Sequence, residues 1–152
     1  MSVFGTTSDQ DNFKQTSRLS RAGTIRKIGP KLYTRNLQEP PEAIVLRNLW
    51  RIVALIAPGA IVSYRTAFEN RSAPDGSILV TGDYQRNVAL PGITIRQIAG
   101  VGPQSGDIPY MGELHLASRP RCFLENLLPT RKRDMIPKSV GRKIRRFQLK
   151  TP

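Results

Sequence analysis

The stretch RAGTIRKIGPKLYTRN at residues 21–36 constrains this chain more than any other, because it joins the end of a basic helix to a short basic hairpin. Before it, Phe13, Thr16, Leu19 and Ser20 recur at helical spacing among Lys14, Arg18 and Arg21, and Gly23 supplies the stop. Residues 24–28 and 31–34 are rich in β-branched and aromatic side chains and flank Gly29 and Pro30, a turn signal. Helix then basic ribbon is the order in the second half of a winged helix-turn-helix, where the helix enters the major groove of DNA and the hairpin touches phosphate. The residues expected at such an interface are Lys14, Arg18, Arg21, Arg26, Lys27, Lys31 and Arg35. An ordinary surface helix and hairpin that happen to be basic is the other reading of the same residues.

The charge distribution favours a polyanion partner. Over 152 residues the net charge is +13, but residues 1–40 contribute +4, residues 41–112 only +1, and residues 113–152 the remaining +8. A nearly neutral centre with basic ends suits nucleic acid better than a small-molecule enzyme. One cysteine excludes an intrachain disulfide and with it a secreted disulfide scaffold, so the cytoplasm is the expected location. The longest apolar run, residues 52–61, is broken by Pro58 and Gly59 and falls far short of the roughly 20 residues needed to cross a bilayer.

Residues 1–10 offer little to bury and are expected to be disordered. Residues 11–39 hold the helix and hairpin, a partial winged-helix module. A linker ends in Pro40 and Pro41, and Pro41 is well placed to open a helix whose stripe is Val45, Leu49, Ile52, Val53 and Ile56, stopped by Pro58 and Gly59. Residues 60–62 suit a short strand, and Ser63 can cap a short helix. Segments 77–81, 87–90 and 93–98, separated by Gly82 with Asp83 and by Pro91 with Gly92, predict a small antiparallel sheet. A loop over residues 100–109, a strand at 113–116 and a helix from Ser118 to Leu128, with Phe123, Leu124, Leu127 and Leu128 buried, complete a domain at residues 40–130. This order is α+β, without the alternating units of a parallel sheet. Residues 131–152 form a basic tail or linker in which Arg131, Lys132, Arg133, Arg142, Lys143, Arg145 and Arg146 can meet phosphate without selecting a sequence.

Chemistry-bearing motifs are sparse. The glycines at 100, 102 and 106 superficially suggest a phosphate cradle, but Pro103 and Pro109 favour an irregular connector over a helix opening. His115 and Cys122 could pair as base and thiolate, yet Cys122 beside Phe123 and Leu124 reads as a buried thiol. Two such ligands are too few for zinc. No catalytic residue, metal or cofactor is expected.

The segments RAGTIRKIGPKLYTRN, RNLWRIVALIAPGAIVSYRTAFENR and GELHLASRPRCFLENLLP resemble the AbiEi-type antitoxin family of type IV toxin-antitoxin systems, in the version found as the N-terminal part of bacterial Fic-domain proteins; the likeness spans roughly residues 18–130. It implies a winged helix-turn-helix that binds promoter DNA, with the helix before Gly23 as the DNA-reading helix and residues 25–33 as the wing, followed by an α+β domain. Two departures stand out. About a dozen residues precede Phe13, too few for the two further helices of a complete winged helix, and no HPFxxGNGR-like loop of the Fic enzymes is present. The expected function is a non-enzymatic DNA-binding regulator or antitoxin-like module with double-stranded DNA and a cognate toxin or C-terminal Fic domain as partners. The alternatives are a regulatory fragment of a Fic-type nucleotide transferase and a basic ribosome-associated RNA-binding protein.

Overall fold

A computed structural model describes residues 3–5 and 10–127, and their fold is α+β. Its first unit is a three-stranded sheet with a crossing helix. Strand β1 (Val3–Gly5) leads to helix α1 (Gln10–Arg21), and the hairpin of β2 (Arg26–Gly29) and β3 (Leu32–Thr34) follows. The order β1-β3-β2 puts β3 in the centre, antiparallel to both neighbours. Helix α1 ends as its glycine requires. Gly23 takes φ +71°, its amide donates to the Ser20 carbonyl at 3.1 Å, and the Thr24 amide donates to the Leu19 carbonyl at 3.1 Å, the paired bonds of a Schellman cap. The expectation of disorder across residues 1–10 is corrected at β1, where Val3 is buried and registers with Thr34. Val3 on one face and Phe4, stacked on Tyr33, on the other give the strand its apolar contacts.

Pro41 opens a helix as predicted, but the single helix becomes two, α2 (Pro41–Arg47) and α3 (Leu49–Ile56). Asn48 makes the break. At φ −108° and ψ 20° it leaves helical geometry, its side-chain amide donates to the Ile44 carbonyl at 2.8 Å, and its own carbonyl receives the Ile52 amide at 2.9 Å. Ile44, Val45, Ile52 and Val53 still share one buried side.

The second sheet contains β4 (Ile61–Val62), β5 (Ser77–Gly82), β6 (Arg86–Leu90), β7 (Ile93–Ala99), β8 (Ile108–Pro109) and β9 (His115–Leu116) in the order β6-β7-β5-β4-β9-β8. Helix α4 (Tyr64–Glu69) follows β4, and α5 (Arg119–Leu127) follows β9. The sheet is mixed, which corrects the antiparallel expectation: β5 pairs parallel with β7, and β4 parallel with β9. The reason lies in burial. Residues 77–81 of β5 are all buried, so the strand needs covered neighbours; both strands of the hairpin bury one face, but on the other face Thr94, Arg96 and Ile98 of β7 are half-buried where Asn87 and Ala89 of β6 are exposed. The hairpin at Pro91 and Gly92 therefore turns so that β7 lies inside and β6 forms the edge.

One core joins both units. Val3, Ile28 and Leu32 of the small sheet cluster with Ile44, Ile52, Val53, Ile78, Val80, Leu90 and Ile95, and a Cβ at Gly29 would collide with the Leu90 side chain. Among the described residues no helix is long and apolar enough to cross a membrane.

Candidate nucleic-acid interface

Helix α1 buries Thr16, which is 7 % exposed, but Leu19, expected beside it, is exposed at 37 %, and Lys14, Arg18 and Arg21 are all exposed. Their spacing of four and three residues stacks the three cations in one stripe, about 180° around the helix from Thr16. Arg18 and Arg21 occupy the last turn, where cations also meet the negative end of the helix dipole. None of the ion pairs among the described residues includes Lys14, Arg18, Arg21, Lys27 or Lys31.

The hairpin divides the remaining residues between two faces. Phe4, Tyr33 and Lys27 are in register across the three strands, so they share the face opposite Val3 and Leu32. Phe4 stacks on Tyr33 with ring centroids 6.3 Å apart, and the Arg35 guanidinium lies 5.8 Å from the Phe4 centroid. Lys31, at φ 56°, sits exposed in the tight turn. Arg26 departs from its expected role. It is partly buried, and its guanidinium donates to the carbonyls of Asn36 at 3.2 Å and Glu39 at 2.6 Å, pinning the linker before α2. A strand residue one position from Lys27 must face the other way, and the linker carbonyls are there to receive it. The tail positions Arg131, Lys132, Arg133, Arg142, Lys143, Arg145 and Arg146 lie outside the described residues.

Cys122 sits in a joint between α4, α5 and the glycine-containing loop. Cys122 is buried, its thiol donates to the Tyr64 carbonyl at 3.0 Å, and burial together with the Glu125 charge pushes its pKa up to about 11, against a lowering bond from Asn126. A thiol held protonated in this way is a poor nucleophile. His115 lies apart from it, half-buried in β9, with Nδ1 enclosed and without a hydrogen-bond partner among the described residues.

Sequence reasoning missed Arg121, the centre of this joint. Its guanidinium, 8 % exposed, donates to Glu125 at 2.8 Å, to Asp107 at 2.5 Å, and to the carbonyls of Gly102 at 3.0 Å and Val101 at 2.7 Å. Asp107 also accepts the amides of Ser118 at 2.8 Å and Gln104 at 2.9 Å. The loop at 100–107 is thus a latch onto α5. Glu125 completes the joint by accepting the Tyr64 amide at 3.3 Å, at a residue whose φ is 53°. The only sequence signal for this network is an arginine between apolar residues on a short helix. The buried face expected for α5 is corrected: Arg121, Cys122 and Asn126 point inward, whereas Phe123 and Leu124 are exposed, and Leu128 lies outside the described residues.

Among the described residues no group of three His, Cys, Asp or Glu could hold a metal ion. No family model, curated protein or solved structure matches this chain.

Proposed function

We propose that this chain is a DNA-binding module, a transcriptional regulator or antitoxin-like partner of a bacterial toxin, that engages duplex DNA through the outer face of α1. The supporting observation is the stripe of Lys14, Arg18 and Arg21, exposed opposite the buried Thr16 on a helix that ends in a Schellman cap and leads into a three-stranded sheet. The strand order β1-β3-β2 is compatible with the sheet that carries the wing of a winged helix. In this reading the three cations fix register on phosphates, Lys27 and Lys31 add contacts from the hairpin, and Gln15, exposed beside the stripe, can read a base edge. Arg26 holds the linker and stays off the DNA. The work would be cytoplasmic and free of cofactors.

Salt dependence tests the reading. Five phosphate contacts predict that log affinity falls with log salt at a slope of about −4.5, and removing three of them should bring it to about −2. The measurement is fluorescence anisotropy with a labelled duplex from the gene's own upstream region. Replacing Lys14, Arg18 and Arg21 with Gln together should weaken binding by at least about a hundredfold at low salt. An unchanged slope would remove α1 from the interface.

A further inference from the structure

Leu19 is the residue of α1 out of place: helical spacing sets it beside the buried Thr16, yet it is exposed. Thr16 is buried and Ser17 and Ser20 are half-buried, and at about 100° per residue these three share one arc of the helix. The line farthest from that arc runs between Arg18 and Gln15. Lys14 and Arg21 lie beyond Arg18 on one shoulder, and Leu19 lies beyond Gln15 on the other. The outer face of α1 is thus graded across its width, cationic on one side, then amide, then apolar.

The turn that carries Leu19 is held in place. Its carbonyl accepts the Thr24 amide at 3.1 Å, the Ser20 carbonyl accepts the Gly23 amide at 3.1 Å, and the Arg18 carbonyl accepts the Ala22 amide at 2.9 Å, so the last turn is capped rather than frayed. Thr24, the residue that would pack on Leu19 in such a cap, is itself exposed.

Gln15 and Leu19 are four residues apart, about 6 Å along the helix and about 40° around it, so one sits above the other. Base pairs repeat about every 3.4 Å along a duplex, and the two side chains therefore span about two base-pair steps. A glutamine amide can donate to N7 and accept from N6 of adenine at once, whereas guanine presents two acceptors and would set its O6 against the glutamine carbonyl oxygen. Thymine alone carries a methyl in the major groove, and an apolar side chain packs on it. The cations of the stripe supply no such discrimination, because phosphates are the same at every step.

We propose that Gln15 and Leu19 give α1 its sequence preference, Gln15 by a bidentate bond to adenine and Leu19 by packing on a thymine methyl within about two base-pair steps of it. The inference rests on the reading that α1 engages duplex DNA, and it adds to that reading the class of site, an A·T-bearing core read from the major groove.

Selection of bound duplexes from a randomised pool with the full chain tests it. The enriched core should hold two A·T pairs within three consecutive base pairs. Gln15→Ala should flatten the preference at one of them and Leu19→Ala at the other; both positions are exposed on a helix, where alanine is the best helix former. On the selected duplex, a G·C pair at the Gln15 position should weaken wild-type binding by about 5–150-fold. Replacing the Leu19 thymine with uracil removes the methyl alone, and should weaken wild-type binding by about fourfold while leaving Leu19→Ala indifferent. A G·C-rich core, binding without base preference, or a preference that survives either substitution would overturn this inference alone. Failure to bind any duplex would overturn it together with the reading on which it rests.

Discussion

Arg121→Met should destabilise the protein by about 3–5 kcal/mol, the range for removing one partner of a buried ion pair. The contributions separate by what each former acceptor can do afterwards. Val101 and Gly102 are exposed, so their carbonyls can turn to water and lose little. Asp107 cannot, because its side chain is 0 % exposed, and Glu125 at 13 % is nearly as enclosed. The amides of Ser118 and Gln104 would still hold Asp107, which places the expected loss toward the lower end. Against a total stability of about 5–15 kcal/mol this is a large fraction.

Urea denaturation followed by Trp50 fluorescence measures the loss, since Trp50 packs edge-on against Tyr110, three residues beyond Asp107, with centroids 5.4 Å apart. The midpoint should fall while the denaturant slope stays constant, as expected for a change in stability alone. Asp107→Asn should cost at least about 1 kcal/mol less in the Arg121→Met background than in wild type, because the amide bond lost with one carboxylate oxygen is common to both while a charge left without a partner is removed only there. A loss below about 1 kcal/mol in the Arg121→Met variant, or an equal cost of Asp107→Asn in both backgrounds, would refute the reasoning that Arg121 compensates a buried carboxylate.

Burial works to raise the Asp107 carboxyl, but the Ser118 and Gln104 amides and the Arg121 guanidinium hold it below its ordinary value of 3.8. Its stabilisation is then full above about pH 4 and is lost as pH falls through the folded value, so acid titration of Asp107→Asn should show a shallower decline below pH 4 than wild type. Gly76→Ala should cost about 1–3 kcal/mol in thermal melts, since φ is +76° there and a Cβ would lie 2.8 Å from the Gly92 carbonyl oxygen. Cys122→Ser should cost no more than about 1 kcal/mol in the same melts, because the Tyr64 carbonyl that accepts the thiol can accept a hydroxyl.

Much of the fold was legible because local signals and tertiary structure agree. Gly23 ends α1 and Pro41 opens α2 for reasons confined to a few residues, and the alternation of Ile93, Ile95 and Gln97 identifies their common face. Strand partnership is not local. The turn at Pro91 and Gly92 specifies a hairpin but leaves open which of its strands meets β5, and that choice depends on burial summed over the whole sheet. The unbroken apolar run Ile78, Leu79 and Val80 was the available clue, since a strand covered on both faces belongs inside a mixed or parallel sheet.

The same distinction explains why the cations of α1 were readable and the inward face of α5 was not. Exposed cations need no protein partner, so their spacing on a helix is enough to set them on one outward stripe, and Lys14, Arg18 and Arg21 follow that rule. Arg26 breaks it because two carbonyls wait in the linker, 10 and 13 residues away. Arg121 breaks it more strongly: its acceptors come from residues 101, 102, 107 and 125, and together they outweigh the hydrophobic gain of turning Phe123 and Leu124 inward. Burying those two apolar side chains fully is worth about 1.5–3 kcal/mol each, comparable to the penalty for stranding the buried ion pair, and the polar face is the one the surrounding residues can satisfy. A hydropathy pattern identifies the apolar face of a helix. Which face turns inward depends on the partners the fold offers to the other side.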